Sequence, residues 1–181
     1  MKRLLWFAAL VLAAAGTFIY LQRTEPAWYA RLWYPLHYSS IVRVHAKNYD
    51  LDASFLAAVI EQESKFRADA KSSAGAIGLM QLQPATAKGI AIRTGGSKFV
   101  FSDLYDPELN VRYGAWYLHH LLTKYGNERL ALAAYNAGQQ NVDRWRAAGE
   151  DIQFPETRAY VSRVEHLKGV YAKAWHSQLY Q

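Results

Sequence analysis

One glutamate stands where a helical apolar stripe should continue. In residues 53–64, apolar side chains recur at helical spacing through Leu56 and Ile60, and Glu63 holds the next position of that stripe. A carboxyl that emerges from an apolar face loses part of its hydration, which raises its pKa and keeps it protonated near neutral pH. Such a group is suited to act as a general acid. A solvated glutamate at a fraying helix end, or one paired with Arg67, fits the same spacing.

A small-residue loop follows this helix. Residues 72–78 read SSAGAIG, and the glycines permit positive φ and close approach of the backbone to a ligand. Gln81 lies just beyond the loop, and Pro84 opens a new helix. The loop lacks the Lys-Ser/Thr pair of a phosphate-binding loop and follows no strand, which disfavours a nucleotide site. Glu63 facing such a loop indicates a substrate groove.

The elements that must position this groove are helices. Asp52, Asp106 and Asn127 stand where helices should begin and can cap them. Gly126 and Gly138 stand where two of those helices should end.

The rest of the chain also favours helices. The last helix begins near residue 155 and carries one apolar stripe, formed by Val161, Val164, Leu167, Tyr171 and Trp175. Only residues 98–101 could form a short strand or hairpin arm. The predicted fold class is mainly α, a bundle-like domain.

Several ordered motifs resemble those of a known family. They comprise Glu63-Ser64, Phe66, Ala70, Ser72, GAIGLMQ at 75–81, PATA at 84–87, AAYNAG at 133–138 and FPETRAYV at 154–161. The set is similar to the catalytic domain of soluble lytic transglycosylases (SLT type), a mostly helical module that acts on bacterial peptidoglycan. The resemblance covers roughly residues 38–171 and implies a lysozyme-like fold.

The resemblance implies a role for each matching residue. Glu63 would be the catalytic acid and base. The residues that would line the sugar-binding groove are Ser72, Met80, Gln81, Tyr135, Asn136, Glu156 and Tyr160. Each of these residues could instead have a purely structural role. Tyr135 and Tyr160 could be core residues, and Ser72 could be a turn residue. Met80 could be a packing residue, Asn136 could serve the end of a helix, and Glu156 could be an acid favoured by a helix dipole.

A missing residue bears on the reaction class. Glycosidases ordinarily use two carboxylates about 5 to 10 Å apart. No Asp or Glu lies between Asp69 and Asp103, the region that faces Glu63. A single carboxylate matches the family's mechanism, in which Glu63 protonates the oxygen between N-acetylmuramic acid (MurNAc) and N-acetylglucosamine (GlcNAc). It then takes the C6 hydroxyl proton as a 1,6-anhydro ring closes. A hydrolytic muramidase resembling goose-type lysozymes and a non-catalytic glycan-binding module are the alternatives.

We expect neither a cofactor nor a metal. The six histidines, at positions 37, 45, 119, 120, 166 and 176, show no spacing typical of metal ligands. The chain has no Cys, which excludes thiolate nucleophiles, disulfides and lipid anchors attached through Cys.

The amino end carries a membrane signal. After Lys2 and Arg3, residues 4–21 form an uncharged apolar run that would be about 27 Å long as a helix. Cleavage of a signal peptide after the small residues 13–15 would leave an apolar stub, and the run exceeds the roughly 7 to 15 residues of a signal core. We therefore favour an uncleaved single-pass anchor in the cytoplasmic membrane, with the rest of the chain on the periplasmic or outer side. A cleaved chain would be secreted.

The net positive charge indicates the orientation of the amino-terminal segment in the membrane more than it indicates a binding partner. Lys2, Arg3 and Arg23 flank the apolar run and carry half of the formal net charge of +6. No basic cluster remains to favour nucleic acid. With 181 residues, 51% of them hydrophobic, the chain suits one folded domain and excludes disorder. We expect a monomer whose partners are peptidoglycan glycan strands and the membrane. The predicted segments are an anchor or signal at 1–23, a linker at 24–37 and the catalytic domain at 38–181.

Overall fold

Helices make up most of the protein. The computed structural model describes residues 2–181. This range contains no β-strand, and two isolated bridges join Ile77 to Lys71 and to Leu82. The predicted mainly α fold is thereby confirmed. In chain order the helices are α1 (Lys2–Thr24), α2 (Ala27–Trp33), α3 (Ser39–Asn48), α4 (Ala53–Ser64), α5 (Pro84–Thr94), a 3₁₀ helix (Phe101–Tyr105), α6 (Pro107–Tyr125), α7 (Glu128–Ala137), α8 (Gln139–Ala147), α9 (Pro155–Ala174) and α10 (His176–Tyr180).

Helix α4 forms the centre of the core. Its residues from Ala53 to Glu61 are buried, whereas Glu63 in its last turn is half-buried. Helix α4 packs mainly on α9, while α3 joins α4 to α6 and α7 joins α6 to α9. Because α4 is held on several sides, the position of Glu63 is fixed by the packing of the whole domain.

The helix ends follow the capping residues that the sequence predicts. The side chains of Asp52, Asp106 and Asn127 each accept a hydrogen bond of 2.8 to 2.9 Å from a backbone N–H in the first turn of the following helix. Helices α6 and α7 end before Gly126 and Gly138. Gly126 has φ +75°, in the left-handed region that glycine adopts without steric cost.

Residues 98–101 do not form the strand or hairpin arm that the sequence suggested. The chain enters the 3₁₀ helix at Phe101 instead. The Asp103 carboxylate accepts a hydrogen bond from the backbone N–H of Val100 at 3.0 Å, which closes this segment into a turn. A strand here would also have no partner, since residues 2–181 contain no other strand.

The amino-terminal segment projects from this core. Within α1, Leu5–Thr24 is long and apolar enough to cross a membrane by length and composition, and none of it is buried. Residues 24–37, predicted as a linker, contain α2. Ala30 of α2 packs with Val170 and Ala174 of α9 in a small apolar cluster.

Candidate active site

Glu63 lies in the last turn of the central helix and faces α9. Its Oε1 accepts a hydrogen bond from the Tyr160 hydroxyl at 2.5 Å. Burial raises the pKa of the Glu63 carboxyl to about 7, and the hydrogen bond from Tyr160 opposes that rise. Near neutral pH the group is divided between acid and carboxylate, so it can both donate and accept a proton.

No cation neutralises Glu63 in the part of the chain that the structure describes. The Nε of Arg67 donates to the backbone oxygen of Ser64 at 3.4 Å instead. In residues 2–181, burial and the Tyr160 hydrogen bond are the two influences on the pKa of Glu63. A neighbouring carboxylate would add a third, because like charges raise the pKa of an acid.

Two tyrosines accompany Glu63. Tyr160 of α9 is buried, and Tyr135 of α7 is half-buried. Burial, together with the negative charge of Glu63, raises the pKa of both hydroxyls well above the ordinary tyrosine value. Both groups therefore stay protonated and act as hydrogen-bond donors. The Tyr135 hydroxyl donates to the backbone oxygen of Met80 at 2.7 Å, so it ties α7 to the loop between α4 and α5.

Gln81 and Ser72 hold that loop in shape. The amide Nε2 of Gln81 donates to the backbone oxygens of Gly78 at 2.9 Å and Ala70 at 3.2 Å. The Ser72 hydroxyl accepts from the backbone N–H of Ala76 at 3.0 Å. Both side chains are half-buried, so each keeps some exposed surface beside its structural bonds.

Met80 lies in the core. Its side chain is fully buried, and a Cβ added at Gly114 of α6 would overlap it. The thioether is therefore out of reach of a glycan in this arrangement. What Met80 contributes to the site is its backbone oxygen, which positions Tyr135.

Sequence reasoning missed Asn110, which fixes the loop against α6. This fully buried side chain accepts from the backbone N–H of Met80 at 2.8 Å. Its amide donates to the backbone oxygens of Ile77 at 2.9 Å and Leu104 at 2.8 Å. An amide on the buried face of α6, one turn before Gly114, is the sequence signal that could have identified it.

Asn136 and Glu156 lie on the exposed side of the site. The Oδ1 of Asn136 accepts a hydrogen bond from the hydroxyl of Thr157 at 2.8 Å, which ties α7 to α9. Thr157 is buried and was not singled out from the sequence. Glu156 is exposed in the first turn of α9, one turn before Tyr160 on the same side of the helix.

A cavity of about 200 Å³ lies between α5 and α6, and the residues that line it do not include those predicted for the groove. Tyr117 lines it and packs on Tyr135, with ring centroids 5.6 Å apart. Trp116 and His120 form a parallel stack with centroids 5.4 Å apart, and Arg93 also lines the cavity. Flat aromatic faces beside polar groups suit a sugar or a peptide.

The described residues offer no evident metal centre. Among residues 2–181, no group of three or more His, Asp and Glu is placed to hold a metal ion. The chemistry that these side chains can perform themselves is proton transfer by Glu63, oriented by a tyrosine.

Comparisons with known proteins point to one family. The family description "Transglycosylase SLT domain" matches residues 40–154. The soluble lytic murein transglycosylase of Escherichia coli is 36% identical over 146 residues, which cover 72% of this chain and 22% of the relative. Membrane-bound lytic murein transglycosylase F of Pasteurella multocida is 41% identical over 96 residues, covering 49% of this chain and 18% of the relative.

A solved structure agrees with this assignment. The lytic transglycosylase Slt of Pseudomonas aeruginosa, solved as an inactive mutant, superposes with a TM-score of 0.74 at 34% identity over 81% of this chain. The match covers 26% of that protein, so this chain spans about a quarter of the length of the relatives it resembles. The sequence match and the shared fold together place the chain in the transglycosylase SLT domain family.

Proposed function

We propose that this chain is a peptidoglycan lytic transglycosylase. It cleaves the β-1,4 bond between MurNAc and GlcNAc and leaves a 1,6-anhydro-MurNAc end. The observation that carries the proposal is the half-buried Glu63, whose carboxyl has a pKa of about 7 and accepts a hydrogen bond from Tyr160. The names of the relatives support the same activity.

The first step is protonation of the leaving group. Protonated Glu63 donates its proton to the glycosidic oxygen as the bond from that oxygen to C1 of MurNAc breaks. The substrate's own acetamido oxygen stabilises the positive charge at C1, which removes the need for a second enzyme carboxylate. Tyr160 then stabilises the carboxylate that forms on Glu63, because its hydroxyl donates to it.

The second step closes the ring. The Glu63 carboxylate takes the proton of the C6 hydroxyl, and the C6 oxygen forms a new bond to C1. No water enters, and Glu63 returns to its protonated form. A pKa of about 7 suits both steps, because the acid and the carboxylate are then of similar stability at neutral pH.

The groove residues hold the glycan during these steps. Ser72, Gln81 and Tyr135 are half-buried and can offer polar groups to the sugar while they hold the loop and α7 together. Asn136 and Glu156 are exposed and can contact the strand farther from Glu63. Met80 acts through its backbone oxygen.

The site works outside the cytoplasm, in cell-wall turnover or remodelling. Helix α1 anchors the chain in the cytoplasmic membrane, oriented by Lys2 and Arg3. The catalytic domain, residues 38–181, lies on the periplasmic side as a monomer. The length and composition of α1 support its role as the anchor.

Product analysis tests this function. The full chain in detergent is incubated with purified sacculi. The masses of the released muropeptides are measured by mass spectrometry and compared with those released by a hydrolytic muramidase. We expect products lighter by one water than those of the muramidase. Hydrated reducing ends would identify a hydrolase, and binding without release would identify a glycan-binding module.

A further inference from the structure

Helix α2 exposes a group of large apolar side chains directly after α1. Trp28, Leu32 and Trp33 are 59%, 72% and 60% exposed, and we call them the juxtamembrane patch. Trp28 and Leu32 lie one helical turn apart, and Trp33 follows at the end of the helix. Clustered exposed apolar side chains of this size in a seven-residue helix indicate a surface that contacts a membrane or another protein.

The patch lies at the end of a helix with the length of a membrane span. The apolar segment Leu5–Thr24 has 20 residues, and about 20 residues cross the hydrocarbon core of a bilayer. Two residues, Glu25 and Pro26, separate α1 from α2. When α1 spans the bilayer, α2 therefore begins at the level of the lipid headgroups, where Trp side chains are enriched in membrane proteins.

Polar contacts fix α2 relative to α1. The amide of Gln22 donates to the Tyr29 hydroxyl at 2.9 Å. The ammonium of Lys173 on α9 donates to the backbone oxygen of Thr24 at 3.0 Å. The Nε of Arg31 donates to the backbone oxygen of Ala174 at 2.8 Å. These contacts tie the end of α1, helix α2 that carries the patch, and the last turn of α9 into one unit.

The charges around the patch suit anionic lipid. Arg23 and Lys173 are exposed beside the junction of α1 and α2. Two acids lie nearby: Glu25 is 3.3 Å from His166, and Glu61 is buried and lines a pocket together with Lys65 and Arg163. Basic residues beside interfacial tryptophans favour a membrane surface that carries phosphate groups.

We propose that the juxtamembrane patch inserts into the headgroup region of the membrane that α1 spans, and that it holds the catalytic domain against that surface. Anionic phospholipid is the ligand. Helix α9 links the two sites, because its first half carries Tyr160, which binds Glu63, and its last turn binds α2. The patch thereby fixes how the groove is presented to the wall. This proposal rests on the anchoring role given to α1.

Site-specific labels test the contact. The chain has no Cys, so a single introduced Cys carries the only fluorophore. Leu32→Cys labels the patch, Leu12→Cys labels α1, and Ile92→Cys is the matched control, because Ile92 is 74% exposed on α5. Each labelled full chain is reconstituted into vesicles of phosphatidylethanolamine and phosphatidylglycerol, and quenching by a lipid-borne quencher is compared with quenching by aqueous iodide.

We expect the ratio of lipid quenching to iodide quenching to be at least about threefold higher at position 32 than at position 92. Equal ratios at these two positions, with strong lipid quenching at position 12, would overturn the patch contact while leaving the anchor in place. Weak quenching by both agents at position 32 would also overturn the contact, because it would place the patch against protein, within this chain or in a second copy. Weak lipid quenching at position 12 would show that α1 does not lie in the bilayer. That result would overturn the proposal, because the proposal rests on this anchor. None of these readouts depends on enzymatic activity, so they separate this proposal from the proposed function.

Discussion

The hydroxyl of Tyr160 donates a 2.5 Å hydrogen bond to the carboxylate of Glu63 across the interface of α9 and α4. This bond stabilises the charged form of a group that burial drives toward its neutral form. The balance of the two effects sets the pKa of Glu63 near the pH at which it must work.

The Tyr160→Phe substitution should shift the pH dependence of activity upward. Without the hydrogen bond the carboxylate is less stable, so the pKa of Glu63 rises further. Because the first step needs protonated Glu63, the alkaline limb of kcat/KM should move up by roughly one pH unit. Turnover of purified glycan strands from pH 5 to 9 measures this limb. An unchanged limb would show that Tyr160 does not act on the proton of Glu63.

The Glu63→Gln substitution should change stability in a pH-dependent way. The folded pKa of about 7 lies above the ordinary glutamate value of 4.5, so the native protein binds more protons than the unfolded chain between these values. The contribution of Glu63 to stability is therefore greatest below pH 4.5 and is lost as pH rises through 7. Gln removes the buried charge, and the variant should be more stable than the parent by about 3 kcal/mol at pH 8 and about equal to it at pH 4.

Urea unfolding at the two pH values measures this difference. Glu150→Gln is the matched control, because Glu150 is exposed in the segment between α8 and α9 and its replacement should change stability little at either pH. The quantity compared is the difference in free energy of unfolding between Glu63→Gln and the parent. If this difference is no larger at pH 8 than at pH 4, the result contradicts the raised pKa of Glu63.

The Asn110→Ala substitution should destabilise the loop that faces the site. It removes the hydrogen-bond partner of the backbone N–H of Met80 and that of the backbone oxygen of Leu104. We expect a loss of about 3 kcal/mol in the free energy of unfolding. Asn48→Ala, at an exposed position of α3, should cost less than about 0.5 kcal/mol. Similar losses for both variants would contradict the role of Asn110.

Two glycines in helices should respond to alanine with opposite signs. At Gly114 a Cβ overlaps the buried Met80 side chain, so Gly114→Ala should destabilise the protein by about 2 kcal/mol. At Gly169 of α9 no atom lies within 4 Å of the new Cβ, so Gly169→Ala should stabilise the protein by roughly 0.5 to 1 kcal/mol. Thermal unfolding of both variants measures the contrast. A Gly114→Ala variant that is as stable as the parent or more stable would show that Met80 does not pack tightly on α6.

The helices were predictable because their signals are local. Asp52 and Asn127 cap helices through their own side chains, and Gly126 ends one through its own backbone. The partial burial of Glu63 was also predictable, because the spacing along one helix places it beside the apolar stripe.

The support of the site was not predictable in this way. Asn110 and Met80 meet through contacts 30 residues apart in sequence, and Tyr160 reaches Glu63 across 97 residues. A motif resemblance identifies such residues, but it does not say whether the side chain or the backbone of each one contributes to the site. It therefore grouped Met80 with the groove, although tertiary packing buries its side chain against Gly114.

Release of muropeptides by the Glu63→Gln variant tests the central claim most directly. The matched control is Glu61→Gln on the same helix, where burial likewise raises the pKa of the carboxyl and the Tyr171 hydroxyl lies 3.3 Å away. Both purified full chains are incubated with sacculi, and anhydro-muropeptides are quantified by mass spectrometry. We predict that Glu61→Gln retains most of the activity of the parent and that Glu63→Gln loses at least about a thousandfold. Anhydro products released by folded Glu63→Gln at a rate near that of the parent would contradict the account.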